Sequence, residues 1–195
     1  MATIEQKTQG AISIRNVTKI YDPEGVHVVA MQDCSFEIGA GEFAVIVGPS
    51  GCGKTTLLNA IAGFDNITSG EIYMDDELIS SARKQIKPNV DRMVVFQNGA
   101  LFPWETVMEN IVYGPIVQGR MKKDEAVQIA REMLRQVGLN EIEDRYPEEL
   151  SSGVQRRVEI LRALINEPKV VMLDEPFRGL DAVAKTVMHD VFHYS

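Results

Sequence analysis

The sequence of 195 residues is 45% hydrophobic and 25% charged, a balance typical of a globular domain large enough to bury a core. Its formal net charge of −8 argues against nucleic acid and anionic lipid as first partners. No stretch approaches the roughly 18 to 20 apolar residues that cross a bilayer. The two cysteines lack the spacing of a metal site or a disulfide framework, as expected of a cytoplasmic protein.

The first predicted elements are antiparallel strands. Residues 12–17 and 34–38 alternate apolar with polar side chains. Residues 71–79 do the same on both sides of Asp75 and Asp76, which tolerate turn geometry. We therefore expect an antiparallel sheet that includes a hairpin.

Three nearly continuous apolar runs predict a different kind of strand. They cover residues 43–47, 93–96 and 170–173, and they are typical of parallel strands buried on both faces. We expect them to be neighbours in one central sheet. A glycine-rich turn follows the first run and leads into a predicted helix over residues 55–62, which Gly63 should end in a left-handed cap.

Residues from about 106 to 164 have helical periodicity. Within this stretch Asp124 is predicted to cap a helix whose apolar positions recur until Gly138 stops it. No repeat or long linker separates the stretch from its surroundings. The pattern therefore indicates an inserted helical subdomain.

The glycine-rich turn at residues 48–55 reads GPSGCGKT and fits the pattern G-x-x-x-x-G-K-[ST] between a predicted strand and a helix. Glycine permits backbone angles at which successive N–H groups point at the β- and γ-phosphates of a nucleotide. Lys54 would add a positive charge there, and the hydroxyl of Thr55 would bind Mg²⁺. A turn without a ligand is the alternative. The predicted ATP contacts are Gly48, Pro49, Ser50, Gly51, Cys52, Gly53, Lys54, Thr55 and Thr56.

These elements together predict an α/β fold of the P-loop NTPase (RecA-like) class. It should have a parallel sheet core, an antiparallel β flank and the inserted helical subdomain, in a single domain over residues 1–195. A P-loop alone leaves the use of the nucleotide open, because kinases, GTPases, helicases and transporters share it.

Two carboxylates follow the last apolar run. Asp174 can hold Mg²⁺ through water, and Glu175 can reach a nucleophilic water as the general base. A solvated turn is the alternative for such a pair. Earlier in the chain, Ser151 is predicted to be the N-cap of an apolar-periodic helix.

The order of these motifs resembles that of the ATP-binding cassette (ABC) transporter ATPases over essentially the whole chain. The order is a P-loop, Gln97 after an apolar strand, a Ser-x-Gly helix start at Ser151, the Asp174–Glu175 strand end, and then Asp181. The resemblance implies a subunit that binds Mg-ATP and hydrolyses it for a membrane partner.

The resemblance also implies roles for further residues. Tyr21 would stack on adenine, and Gln97 would touch Mg²⁺ or the attacking water. Ser151 and Gly153 would form the signature loop, which completes the γ-phosphate site of the opposite subunit in a head-to-tail dimer. Asp181 would link the two sites. A helix N-terminus brought to a triphosphate supplies partial positive charge without a cationic side chain.

The chain departs from the family pattern at three places. Ser152 replaces the usual first glycine of the signature, and Arg178 occupies a position that is more often small. No switch histidine is visible, because His189 follows Asp181 too closely for the intervening helix and strand of about 20 residues. We therefore expect a cassette truncated before that histidine, which binds ATP but hydrolyses it poorly.

The segment after Gln97 indicates the kind of transporter. Residues 98–107, with Gly114 and Pro115 beyond them, resemble the ATPases of nitrate, sulfonate and taurine importers. The resemblance implies a permease, a second ATPase subunit and, indirectly, a solute-binding protein, at the cytoplasmic face of the inner membrane. Independently, Leu101, Phe102 and Trp104 predict either a small core or an exposed patch for a partner's helix.

Two other functions stay open from the sequence. A cassette protein acting on DNA or ribosomes would favour a basic groove or a coiled-coil insertion, and neither is visible. A noncatalytic ATP-binding subunit remains compatible with Ser152 and the missing switch histidine.

Overall fold

The structure is a computed structural model that describes residues 9–22, 25–84 and 87–175. The chain divides into two compact units, Met1–Arg92 and Met93–Ser195. The fold class predicted from the sequence, a mixed α/β fold, is confirmed by the elements that both units contain.

The first unit contains the predicted antiparallel sheet. Its strands are β1 (Ile12–Tyr21), β2 (Val28–Ile38), β3 (Ser69–Met74) and β4 (Glu77–Ser81), in the order β2-β1-β3-β4. Every neighbouring pair is antiparallel. Strand side chains alternate between the two faces of a sheet, and one face of this sheet is buried. Its buried members include Ile12, Ile14, Val17, Ile72 and Met74.

The hairpin between β3 and β4 confirms the predicted turn. Asp75 and Asp76 have positive φ angles of 50° and 64°, the left-handed geometry that short hairpin turns require. The Asp75 side chain also accepts hydrogen bonds from the backbone N–H groups of Gly10 and Ala11, at 2.6 and 3.0 Å. The turn is thereby fixed to the start of β1.

The prediction of a buried strand over residues 43–47 is wrong. Phe43, Val45 and Val47 are 63%, 69% and 85% exposed, and none of the strands in the described part of the chain pairs with this run. An apolar run forms a strand only where neighbouring strands satisfy its backbone. The apolar composition of residues 43–47 therefore does not by itself predict a strand.

Helix α1 (Lys54–Ala62) follows the glycine-rich turn, close to the predicted bounds. Its buried face consists of Leu57, Ala60, Ile61 and Ala62. Gly63 has a φ angle of 91°, and its N–H donates to the carbonyl of Asn59 at 3.0 Å. The predicted left-handed cap is confirmed.

The second unit holds the helices of residues 106–164 and two short strands. The strands are β5 (Arg92–Val95), of which all but the first residue belong to this unit, and β6 (Val170–Leu173). They are hydrogen-bonded neighbours as predicted. The helices are α2 (Val107–Val117), α3 (Lys123–Gln136) and α4 (Ser152–Leu164). They share one core cluster, which includes Ile111, Ala126, Ala130, Leu134, Val158 and Leu161.

Helix α3 begins earlier than the sequence predicted. Its N-cap is Lys122, with no side-chain capping bond, so the prediction that Asp124 is the cap is wrong. A cap residue must be extended, and Asp124 already lies in the first helical turn, where its charge suits the helix dipole. Gly138 has a φ angle of 67° and donates to the carbonyl of Arg135 at 3.0 Å, which confirms the predicted stop.

Candidate nucleotide site

The phosphate loop, residues 48–55, meets the N-terminus of α1. Gly53, the residue before the helix, has a φ angle of 92°. A Cβ atom there would lie 2.3 Å from the carbonyl oxygen of Ala30. Only glycine fits both the angle and the close approach. The loop conformation therefore depends on the glycine that the motif requires.

The ammonium group of Lys54 lies over the loop. It donates to the carbonyls of Gly48 and Pro49 at 2.9 Å each, and the Cys52 sulfur lies 3.7 Å away. The carbonyls thus hold the cation beside the helix N-terminus. Backbone N–H groups, a helix N-terminus and a fixed cation are the donors that a phosphate group accepts from, so the residues present fit a nucleotide.

Tyr21 lies at the end of β1 and is 38% exposed. Its hydroxyl donates to the carboxylate of Asp65. The Lys19 ammonium lies 2.5 Å from the other Asp65 oxygen and 4.5 Å from the Tyr21 ring centroid, and it also donates to the carbonyl of Asn66 at 2.6 Å. Two side chains, Asp65 and Lys19, therefore fix the ring that the family resemblance assigns to adenine.

The same cluster shifts two pKa values. Burial, followed by the hydrogen bond to Asp65, raises the pKa of Tyr21, although a hydrogen bond with Thr56 opposes the shift. Burial alone would raise the pKa of Asp65. The hydrogen bonds from Lys19 and Tyr21 outweigh it and leave the pKa of this carboxyl below its ordinary value.

Gln97 and Glu175 are in direct contact in the second unit. The side-chain amide of Gln97 donates to the Glu175 carboxylate at 2.6 Å, across 78 residues of sequence. Asp174 is 8% exposed, and its N–H donates to the carbonyl of Val95 at 3.0 Å, which ties the end of β6 to β5. Glu175 has a φ angle of 47°, a sparsely populated conformation that clusters at functional sites.

The start of α4 is formed as predicted. Ser151 is the N-cap, and its hydroxyl accepts from the N–H of Val154 at 3.4 Å. Ser151 and Ser152 are exposed, and Gly153 is half-buried. This helix N-terminus is thus open to a ligand or partner from outside.

The aromatic segment after Gln97 combines the two predicted alternatives. Leu101 packs against the core of the helices. Phe102 stacks on Trp104, with ring centroids 5.6 Å apart, and meets Tyr113 edge-on at 5.0 Å. Trp104 and Tyr113 are 70% and 44% exposed. The segment is therefore anchored in the core at one end and presents an aromatic surface at the other, which we call the aromatic patch (Phe102, Trp104 and Tyr113).

The structure brings together only part of the predicted site. Gln97 contacts Glu175, and Lys54 contacts its own loop. The phosphate loop belongs to the first unit and the carboxylates to the second. The predictions for Asp181, Arg178 and His189 lie outside the described residues.

Sequence reasoning missed the residues that hold the site in place. Asp65 and Lys19 hold Tyr21, while Arg156 and Glu159 bind the backbone beside Gln97 and Glu175. The available signal for the latter was two opposite charges three residues apart on an otherwise apolar face of α4. That pattern is more typical of a solvated helix surface.

The oxygen ligands that Mg²⁺ prefers are present in the predicted set, as the hydroxyl of Thr55, the amide oxygen of Gln97 and the carboxylate of Asp174. The described residues contain no cluster of three or more His, Cys, Asp or Glu side chains that could hold a metal by themselves. Such a set suits a metal that also takes ligands from a nucleotide and water. Among the described helices, none has the length and apolar character to cross a membrane.

Solved structures define the class of protein. A dimeric structure of a post-hydrolysis state of the ATP-binding cassette MJ0796, bound to ADP and Pi, superimposes with a TM-score of 0.80 at 32% identity. The match covers 92% of this chain and 80% of that chain. The fold is therefore that of the ATP-binding cassettes, and the predicted P-loop NTPase class is confirmed.

The particular family follows from the sequence. The ABC transporter family matches residues 31–178, and the chain belongs to this family. Similar curated proteins include taurine, bicarbonate and aliphatic sulfonate import ATP-binding proteins. The taurine import ATP-binding protein TauB of Roseobacter denitrificans is 41% identical over 181 residues, which are 92% of this chain and 65% of TauB. The predicted resemblance to the sulfonate and taurine importer ATPases is confirmed.

A relative named for a different solute lies in the same range of identity. The spermidine/putrescine import ATP-binding protein PotA of Thermotoga maritima is 42% identical over 173 residues, which are 89% of this chain and 45% of PotA. The chain spans 64% to 65% of the length of the first curated relatives that it matches.

Proposed function

We propose that the chain is the ATP-binding and ATP-hydrolysing part of an ABC transporter. The observation that carries the proposal is the phosphate loop, in which Lys54 lies beside the N-terminus of α1 on a turn that requires Gly53. A fixed cation and oriented N–H groups bind a triphosphate through charge-assisted hydrogen bonds. Lys54 is the first residue of α1, and the exposed Thr55 and the half-buried Thr56 follow it in the first turn.

The proposed hydrolysis uses the residues of the second unit. Glu175 acts as the general base that accepts a proton from the attacking water. Gln97 orients the Glu175 carboxylate through the 2.6 Å hydrogen bond. Asp174, Thr55 and Gln97 would hold Mg²⁺. When bound, this ion neutralises charge on the β- and γ-phosphates. Tyr21 contacts the adenine ring.

The proposal includes a head-to-tail dimer with a second ATPase subunit. Ser151 and Gly153 lie at an open helix N-terminus, which is suited to the γ-phosphate held by the opposite subunit. Asp181 would link the two sites. The proposed organisation is a single cassette domain over residues 1–195, with a helical subdomain over about residues 106–164.

The aromatic patch supports a permease as the membrane partner. Exposed Trp104 and Tyr113 flank Phe102, whose ring also lies 4.2 Å from the Arg162 guanidinium. Aromatic and arginine side chains are enriched where protein interfaces bury their core. We place the protein on the cytoplasmic face of the inner membrane, with a solute-binding protein as an indirect partner and no nucleic acid.

The proposed solute is a small anion such as nitrate, sulfonate or taurine. The segment over residues 98–107 supports this choice, since it resembles the corresponding segment of those importers. In proteoliposomes that contain the full-length protein and the permease from its gene neighbourhood, taurine or nitrate with the cognate binding protein should accelerate ATP hydrolysis. Stimulation by spermidine instead would contradict the anion assignment.

The experiment that tests the ATPase proposal measures binding and phosphate release on the same full-length protein. We expect calorimetry to show ATP binding, and we expect release of phosphate that rises when the permease is added. Binding without turnover in the complete complex would favour the noncatalytic rival. Absence of binding at millimolar ATP would contradict the proposal altogether.

A further inference from the structure

Helix α4 carries an ion pair in its buried face. Arg156 and Glu159 lie one turn apart with their charged atoms at 3.0 Å, and their side chains are 9% and 7% exposed. Burying two charges costs free energy unless other groups complete their hydrogen bonds. A pair of this kind on a helix surface would contribute little to stability. The buried pair therefore needs further hydrogen-bond partners.

The pair binds backbone groups on two other segments. The Arg156 guanidinium donates to the carbonyl of Phe96 through Nη1 and to the carbonyl of Asp174 at 3.1 Å through Nη2. Glu159 accepts the N–H of Ala100 at 2.8 Å through Oε1. One ion pair thus holds three backbone points that lie 60 and 18 residues from Arg156, or 59 from Glu159, in the sequence.

Those three points flank the proposed catalytic contact. Phe96 and Ala100 lie on either side of Gln97, and Asp174 directly precedes Glu175. A Cβ atom on Gly99 would lie 3.2 Å from Glu159, so the loop packs closely on the pair. The segment that carries Gln97 and the strand end that carries Glu175 are therefore attached to the same two side chains.

We infer that Arg156 and Glu159 are positioning residues that hold Gln97 and Glu175 in register for hydrolysis. The inference rests on the proposed function, because it assigns a role in the same site. A general base works only within a narrow range of geometry, and a displacement of about 1 Å can lower turnover about a hundredfold. The pair acts through the backbone and touches no reacting atom.

The test compares two neighbouring arginines on α4. Arg156→Met removes the donors and keeps the length of the side chain. Arg157→Met is the control, because Arg157 donates to the carbonyl of Val137, away from Gln97 and Glu175. In the full-length protein we expect Arg156→Met to lower kcat about tenfold to a hundredfold, with the Kd for ATP within about twofold. The control should keep the parental kcat.

A double variant distinguishes positioning from a general loss of structure. In the Glu175→Gln background, Arg156→Met should not lower the residual turnover further, because the effects of substitutions that act through the same group do not add. An additive loss would overturn the inference, as would a parental kcat for Arg156→Met. If Arg156→Met does not fold, Arg156→Lys replaces it, since a single ammonium group does not reproduce the planar fork. A reduced kcat for Arg156→Lys supports the inference, and a parental kcat overturns it.

Hydrogen exchange separates this inference from the proposed function. Replacement of Arg156 should speed exchange of the Ala100 amide, while amides of α3 such as that of Ala130 remain unchanged. This measurement needs no hydrolysis. If the parent protein does not turn over ATP, the proposed function fails, and the exchange of Ala100 still decides whether the pair positions the loop. Unchanged exchange at Ala100 would overturn the inference.

Discussion

The phosphate loop and the Gln97–Glu175 contact differ in how they are held. Residues 48–52 are all exposed, and residues 43–47, directly before the loop, form no strand. Gln97 and Glu175, by contrast, lie beside a buried ion pair that fixes the backbone on both sides. The first region offers donors that a nucleotide can organise, and the second is already organised. Binding and hydrolysis should therefore respond to different substitutions.

The largest expected effect concerns Glu175. In the full-length protein, Glu175→Gln should lower turnover roughly a hundredfold to ten-thousandfold, the contribution of a positioned general base, while ATP binding persists. Phosphate release and calorimetry on the same preparation measure the two quantities. The variant should also accumulate as an ATP-bound dimer on sizing. Glu132→Gln, on the exposed face of α3, is the control, and near-normal turnover of Glu175→Gln would assign the base elsewhere.

Substitutions in the helical core and in the run before the phosphate loop should differ in their effect on stability. Ile111 is fully buried among the helices, so Ile111→Ala should lower the free energy of unfolding by about 2 to 5 kcal/mol. Val47 is 85% exposed, and Val47→Ala should change it by less than about 0.5 kcal/mol. Urea unfolding measures both variants. An equal loss at Val47 would show that the run before the phosphate loop is buried after all.

Removal of the loop cation should weaken binding more than it changes the fold. Lys54→Ala eliminates charge-assisted hydrogen bonds worth about 1.5 to 3 kcal/mol, so the Kd for ATP should rise about tenfold to a hundredfold. Lys123→Ala, at the exposed start of α3, is the matched control. Calorimetric titration with Mg-ATP provides the comparison. An unchanged Kd in Lys54→Ala would remove the phosphate assignment.

The smallest expected effect is a pH dependence of stability that comes from Asp65, the carboxylate that binds Tyr21. Hydrogen bonds from Lys19 and Tyr21 hold the pKa of Asp65 below its ordinary value of 3.8. The stability that this carboxylate contributes is thus present above that value and is lost as pH falls through the lower, folded-state pKa. Asp65→Asn should flatten this acid limb in thermal melts between about pH 5 and 2, and Lys19→Met should do so in part. A limb of parental slope in Asp65→Asn would assign it to other groups.

The sequence predicted well those features that depend on neighbouring residues. The turn at Asp75, the cap at Gly63 and the N-cap at Ser151 follow from local backbone chemistry, and the structure contains all three. The capping of α3 was misplaced because a lysine without a side-chain cap precedes the helix. A capping pattern cannot locate the start of a helix whose N-cap residue makes no side-chain hydrogen bond.

Features that depend on distant residues were predicted less well. The run at residues 43–47 has the composition of a buried strand, but burial depends on partners that composition does not specify. Gln97 and Glu175 were found through their motifs, whereas Arg156 was not, because its contacts with Phe96 span 60 residues. No spacing rule connects a charge on a helix with a carbonyl so far away.

The most direct test is hydrogen exchange of the full-length protein with and without Mg-ATP, at a concentration where sizing shows a monomer. The amides of residues 48–55 should become strongly protected on binding, since they donate to the phosphates, whereas those of residues 158–163 in α4 should be protected already and change little. An unprotected phosphate loop at saturating ATP, or protection confined to α4, would contradict the division between a loop that the nucleotide organises and a hydrolytic contact that is already formed.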